Sequence, residues 1–180
     1  NDVFLNKKDE LLWILEHSTV CTAGKSAQKK DLLNKNLNVI KTNRGGKYTI
    51  HSPGQKVIYF VLNLNKRGKD IRKLVRSIEN CIVDVLKEFK IDSYADKRDI
   101  GIWIKKNKKE KKIAAIGIRV KKWVAYHGFS INISNDLSLY ESIIPCGIKD
   151  KEITNFVEME IKNFNNIEKI IIKKFLKTFP

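Results

Sequence analysis

The sequence predicts an α+β (mixed α/β) fold, and three observations carry that expectation. Short apolar runs rich in β-branched residues recur along the chain, one segment has clear helical periodicity, and a charged tip separates two of the runs as a hairpin would. At 180 residues, 42% hydrophobic and 31% charged, the chain is globular rather than disordered and long enough for one substantial core. No apolar run approaches the ~18 residues needed to span a bilayer. The first residues, Asn1-Asp2-Val3-Phe4-Leu5-Asn6-Lys7-Lys8, lack the apolar centre of a signal peptide. Three cysteines, odd in number and widely spaced, make no disulfide framework. A soluble, reducing, cytoplasmic setting with no membrane partner is the expectation.

Taken in order, Leu11-Leu12-Trp13-Ile14-Leu15 is a continuous apolar run that reads as a buried strand. His17, just beyond it, reads as structural or as a pocket edge. Residues 25–36 are polar and lysine-rich, which suggests a mobile loop with a helical turn at Asp31-Leu32-Leu33. Val39-Ile40 then leads into the stretch around which the chain is organised, residues 44–55: Arg-Gly-Gly-Lys-Tyr-Thr-Ile-His-Ser-Pro-Gly-Gln. Gly45 and Gly46 allow φ > 0 and close backbone approach to a ligand, and Pro53-Gly54 is a turn signal. The stretch presents Arg44, Tyr48 and His51 around a tight path; by pattern alone it is equally a structural loop between two strands.

Residues 57–64 continue as a strand. The clearest helix follows, with Ile71, Leu74, Val75, Ile78, Ile82, Val85, Leu86 and Phe89 at three- and four-residue steps and Asp70 as N-cap. Cys81 shares its apolar face and reads as a small core residue. Residues 100–104 and 112–120 read as strands joined by a charged hairpin tip at 105–111, and 123–133 continue the β pattern. After Cys146-Gly147 the chain is expected to turn helical. Thr154 would cap a segment carrying Phe156, Val157, Glu160 and Ile161, and a second helical segment covers 167–179.

The net charge of +16 favours acidic partners and speeds their encounter. Nucleic acid is the first candidate, but the lysines are scattered through every segment rather than gathered into a stripe. Among the cysteines, Cys146 alone sits in a turn, between Pro145 and Gly147, where a sulfur is open to substrate. A free thiol of pKa ~8.5 is only slightly ionised at neutral pH, so a nucleophilic cysteine needs a nearby cation. The chain is lysine-rich throughout, so composition cannot choose that cation. No Cys/His spacing resembles a zinc site.

Residues 44–55 resemble the signature Arg-Gly-Gly-x-x-Thr-x-His-Gly-Pro-Gly-Gln of the octanoyltransferases, the lipoyl(octanoyl) transferases. Two later segments resemble the same family in the same order: Lys112-Ile113-Ala114-Ala115-Ile116-Gly117-Ile118-Arg119-Val120, and His127-Gly128-Phe129 leading to Ile144-Pro145-Cys146-Gly147-Ile148. The resemblance implies one octanoyltransferase catalytic domain over residues 1–180, with the mixed, helix-packed sheet of the lipoate and biotin protein ligases. It also implies chains that begin earlier. With no initiator methionine here, an amino-terminal segment is expected to be missing.

The activity implied is transfer of an octanoyl group from octanoyl-acyl carrier protein to a lysine of lipoyl domains. The acceptors would be 2-oxo acid dehydrogenase E2 subunits and the glycine cleavage H protein. Cys146 would be the nucleophile and Lys112 its acid and base, with Lys111 the rival if the register slips by one. The donor thioester is already activated, so no cofactor, ATP or metal is expected. The substrate pocket would be built from Arg44, Gly45, Gly46, Lys47, Tyr48, Thr49, Ile50 and His51, with Ala115, Ile116, Gly117, Gly128, Phe129 and Ser130 as further walls. Ile50, Ile116 and Phe129 suit an apolar acyl slot, and backbone N–H groups at the glycines suit an oxyanion. His51 and His127 are expected to position groups rather than to catalyse. Ser52 departs from the signature glycine, Asn63 from an Asp-Leu pair, and Ser130-Ile131-Asn132 from Ala-Leu-Asn. Two alternatives remain: an ATP-dependent lipoate-protein ligase of the same fold, and a lysine-rich nucleic-acid-binding module.

Overall fold

A computed structural model describes residues 2–3, 7–96, 98–144 and 152–180. The elements run β1 (Leu11–Leu15), β2 (Val20–Ala23), β3 (Val39–Lys41), β4 (Tyr48–His51), β5 (Gln55–Asn63), α1 (Ile71–Glu88), β6 (Tyr94–Ala95), β7 (Ile102–Lys106), β8 (Lys109–Lys121), β9 (Val124–Asn132), β10 (Glu152–Ile153) and α2 (Ile167–Thr178). Seven strands form one sheet in the order β1-β5-β9-β8-β7-β6, with β10 added beside β8. Pairing is antiparallel except for β10 on β8. A second, three-stranded sheet has the order β3-β2-β4, with β2 parallel to β3 and antiparallel to β4. The expected α+β fold with mixed sheet pairing and packing helices is what the chain adopts.

Period-2 alternation in β5 assigns the two faces of the large sheet. Ile58, Phe60 and Leu62 enter one core with Ile78, Ile82 and Leu86 of α1 and Ile171 and Phe175 of α2. The helices therefore cover that face, and Val57 and Tyr59 look the other way. Asp70 caps α1 as expected, its carboxylate accepting from Lys73 N at 2.9 Å. Cys21, Ile50, Tyr140 and Ile143 belong to a smaller core behind the second sheet.

Four expectations need correction. The apolar run of β1 is an edge strand, not a buried one: Leu11 and Trp13 are 51% and 58% exposed, because only alternate residues of a strand paired on one side meet the core. The turn in the lysine-rich stretch is a 3-10 turn at Lys29–Asp31. The hairpin tip is shorter than 105–111. Lys105 pairs with Glu110 and Lys106 with Lys109, leaving Asn107 and Lys108, both at positive φ, as a two-residue turn of the kind that matches strand twist.

Helix 154–161 does not form. Thr154 N donates to Lys112 O at 2.9 Å and Thr154 O accepts from Asn132 Nδ2 at 3.0 Å, so Thr154 is committed to the sheet. Phe156 is fully buried, and Glu160 takes φ 62°. The chain makes a compact turn there and becomes helical at α2.

Ile82 is fully buried, so Ile82→Ala should cost about 2–5 kcal/mol in urea unfolding. Leu11→Ala, on the exposed edge, should stay within roughly 0.5 kcal/mol. Equal losses would contradict the facial assignment.

Candidate active site

The two sheets enclose a cavity of about 140 Å³. Its floor is a pair of cross-strand rows on β5, β9 and β8: Val57–Ser130–Ala115 and Tyr59–Gly128–Gly117. Small residues at four of these six positions leave the recess. Its roof comes from the second sheet, where Thr22 pairs with Thr49, and His51 occupies the same face. The opposite face of β4 carries Ile50, which lies in the smaller core with Cys21 and not on the cavity. Tyr48 packs in that core yet reaches the cavity wall. Ile116 and Phe129 line the cavity while packing against the helix-side core. Gly45 lies outside the lining, its N–H donating to Ile118 O at 3.1 Å. Gly46 lines the cavity at φ 81°, a backbone state that favours glycine.

Arg44 closes one side. Its Nη2 donates to Thr22 O and Thr22 Oγ1, both at 2.8 Å, and Nη1 donates to Gly45 O at 2.9 Å. Lys47 pairs with Asp31 at 3.1 Å, and Asp31 O accepts Ile144 N at 2.7 Å. The described chain leading to Cys146 is thus tied to the roof. Cys146 itself lies outside the described residues.

Lys112 lines the cavity although it is only 3% exposed. The pairing of β7 with β8 slips between Ile102↔Ala114 and Trp103↔Lys112, leaving Ile113 unmatched. Such a bulge re-aims side chains. It sends Ile113 and Ala114 to the core and Lys112 to the cavity. Lys111, the rival if the motif register slips by one, instead meets Glu152 at 3.0 Å and Glu158 at 3.3 Å. Lys112 is paired along β10 with Ile153, so the chain emerging from residues 145–151 runs beside it. The other two cysteines are buried. Burial pushes the Cys21 thiol up, with Arg44 opposing, and pushes Cys81 up to about 11. Both settings disfavour the thiolate.

A buried chain of amides sets the state of His51. Thr154 O can only accept, so Asn132 presents Nδ2 to it and Oδ1 to Gln55. Gln55 then donates from Nε2 to Asn132 Oδ1 at 2.8 Å and to the Tyr140 hydroxyl at 2.9 Å. Its Oε1 remains as acceptor for His51 Nδ1 at 2.6 Å. The imidazole therefore carries its proton on Nδ1 and keeps a lone pair on Nε2. Burial lowers the His51 pKa from 6.5 to about 4, against the Gln55 hydrogen bond and with help from Arg44. Burial also lowers the pKa of His127, whose Nε2 meets Asn43 Oδ1. His17 stays outside the lining, hydrogen-bonded to the Tyr59 hydroxyl at 2.8 Å.

Thr22, Thr42, Val57 and Tyr59 also line the cavity and were not singled out from sequence. Strand alternation signals Val57 and Tyr59, opposite in phase to Ile58 and Phe60; the two threonines gave no signal without the register. Ser52 is buried, needs no positive φ, and closes the turn by accepting Gln55 N at 3.1 Å. Its departure from glycine is accommodated. Asn63 caps the following 3-10 turn by accepting from Asn65 N. Among the described residues no group of three or more His, Cys, Asp or Glu could hold a metal, and no helix is long and apolar enough to cross a membrane.

Residues 2–178 match the lipoyl protein ligase A/B catalytic domain, and the chain belongs to that family. Within it, the similar proteins are octanoyltransferases, as the signature residues implied. The chain is 46% identical over 176 residues to the octanoyltransferase of Wolbachia sp. subsp. Brugia malayi, covering 97% of this chain and 86% of the relative. It is 47% identical over 173 residues to that of Anaplasma phagocytophilum, covering 94% and 83%. Among solved structures, a bipartite lipoate protein ligase from Thermoplasma acidophilum superposes with TM-score 0.70 at 13% identity, over 98% of this chain and 76% of that one. Lipoate-protein ligase A bound with ATP gives 0.71 at 15%, over 95% and 73%. Biotin protein ligase from Aquifex aeolicus gives 0.53 at 15%, over 91% and 69%. These structures share the fold.

The state of His51 predicts a pH dependence of stability. Above pH 6.5 the imidazole is neutral in both folded and unfolded chains; between 6.5 and about 4 only the unfolded chain takes a proton. His51 therefore contributes fully above pH 6.5, and its contribution is lost as pH falls toward 4. Urea titrations should show wild type losing up to about 3 kcal/mol relative to His51→Gln across that window. A flat difference would mean that the folded protein protonates His51 as readily as the unfolded chain does.

Proposed function

We propose that the chain is an octanoyl-[acyl-carrier-protein]:protein N-octanoyltransferase of lipoate biosynthesis, one catalytic domain over residues 1–180, with Cys146 as nucleophile and Lys112 as proton carrier. The observation that carries this reading is the buried Lys112 on the cavity wall, with β10, the first described strand after Cys146, paired along it. The octanoyltransferase relatives support the reaction class.

The Cys146 thiolate attacks the carrier thioester carbonyl, the C–S bond to the carrier breaks, and the Lys112 ammonium supplies the proton that the departing thiolate takes up. The neutral Lys112 amine then removes a proton from the incoming lysine amine as it attacks the acyl-cysteine thioester. An amide forms and the Cys146 thiolate leaves, restoring the pair. The acyl chain occupies the recess over Ala115, Gly117 and Gly128, against Ile116 and Phe129, with Arg44, Gly46, Thr49 and His51 enclosing it. The donor is octanoyl-acyl carrier protein, and the acceptors are lipoyl domains of 2-oxo acid dehydrogenase E2 subunits and the glycine cleavage H protein. The net charge of +16 suits acidic partners of this kind. A thiol nucleophile suits a reducing cytoplasm.

Intact-protein mass spectrometry after mixing with octanoyl-acyl carrier protein, without ATP, should reveal one hydroxylamine-labile octanoyl adduct that a lipoyl domain removes. Cys146→Ala should abolish it, Cys81→Ser should retain it, and Lys112→Ala should slow transfer by about 10²–10⁴-fold. Product formed only from free lipoate and ATP would instead identify a ligase.

A further inference from the structure

An ammonium withdrawn from water needs partners that attract its charge; two residues beside Lys112 supply them and a third leaves room for its stem. Lys112 Nζ donates to Ile100 O at 2.8 Å. The same nitrogen lies 5.0 Å from the centroid of the Trp103 ring, inside the ~6 Å range over which a π face attracts a cation. Trp103 is 2% exposed, and its indole Nε1–H donates to Asp99 O at 2.8 Å, so the ring cannot turn freely. Between Ile100 and β7 stands Gly101, at φ 141°. A Cβ there would sit 2.2 Å from Lys112 Cε and 2.8 Å from Nζ. The lysine stem crosses a backbone with no side chain in its way. The register slip of β7 on β8 brings Trp103 directly opposite Lys112.

We propose that Trp103 is a positioning residue for acyl transfer. Its ring, with the Ile100 carbonyl and the bare Gly101, holds the Lys112 ammonium in the orientation from which it serves the thiol. This rests on the reading of Lys112 as proton carrier. The flexible four-carbon stem of lysine presents a point charge with no fixed direction of its own, so the surrounding cage must supply the direction. The carbonyl holds one N–H, and the aromatic face is a second constraint on the ammonium.

The test separates ring electrostatics from ring shape. Trp13 and Trp123 are partly exposed, and replacing both with Phe leaves Trp103 as the one tryptophan of the three in the chain. Growth on 5-fluoro-, 5,6-difluoro- and 5,6,7-trifluorotryptophan then drains charge from the π face with little change of volume. Fluorination makes the indole N–H a stronger donor, so weakening of its bond to Asp99 O cannot mimic the effect. The expected result is a stepwise fall in kcat for transfer from octanoyl-acyl carrier protein to a lipoyl domain, about ten-fold across the series. KM for the donor and the melting temperature should stay nearly constant. Trp103→Phe should retain more activity than Trp103→Leu, because only Phe keeps an aromatic face. A kcat that is flat across the series would overturn the proposal and leave the role of Lys112 intact. Full activity in Lys112→Ala would overturn both.

Discussion

One register slip organises the site. Had β7 and β8 paired without it, strict alternation would have turned Lys112 toward the opposite face, because a one-residue shift exchanges the faces of a strand. The slip between Ile102↔Ala114 and Trp103↔Lys112 lets two consecutive apolar residues, Ile113 and Ala114, enter the helix-side core. Lys112 and Lys111 then diverge, one to the cavity and one to the carboxylates of Glu152 and Glu158. Those carboxylates hold β10 against the hairpin, which brings the chain that follows Cys146 alongside Lys112. Core packing, ion pairing and placement of the buried ammonium all descend from one unmatched residue.

Much of the fold was legible because its signals are local. Seven of the eight apolar positions read from sequence fall at helical steps within α1, the eighth, Phe89, is its C-cap, and Asp70 caps the other end by a bond three residues away. What the sequence obscured is non-local. The apolar run of β1 looks buried until its neighbour on only one side is known. Residues 154–161 have helix-like spacing, but Thr154 is claimed by Lys112 O and by Asn132 Nδ2, on strands more than twenty residues distant. Those sheet contacts outweigh the local preference.

The candidate site was legible as motifs, not as a surface. The stretch carrying Arg44 to His51 does reach the cavity, yet β4 alternates: Thr49 and His51 face it while Ile50 is spent on the smaller core. The floor depends on small residues of β8 and β9 falling in register with Val57 and Tyr59 of β5. That alignment is set by the hairpin joining β8 to β9 and by long-range pairing of β9 with β5, which no local spacing encodes. Composition cannot choose among the lysines of residues 105–112; the resemblance points to Lys112, and the paired strands set it apart from Lys111, which turns to Glu152 and Glu158.

Gln55 shows how a signature residue can act without touching the cavity. It is 1% exposed and absent from the lining, yet its amide relays the polarity of a backbone carbonyl on one side of the site to a histidine on the other. Because Thr154 O has no proton to give, each amide in the chain has one orientation that satisfies every donor and acceptor. Reversing any one of them would bury two facing donors or two facing acceptors, a desolvation cost that each reversed pair would carry. The His51 tautomer is therefore a consequence of sheet topology: β5 and β9 must pair in the observed register, and the turn at Thr154 must dock on β8, for Nε2 to keep its lone pair. The same Thr154 joins β8 through Lys112 O, so the histidine and the lysine on opposite walls of the cavity are referred to one backbone position.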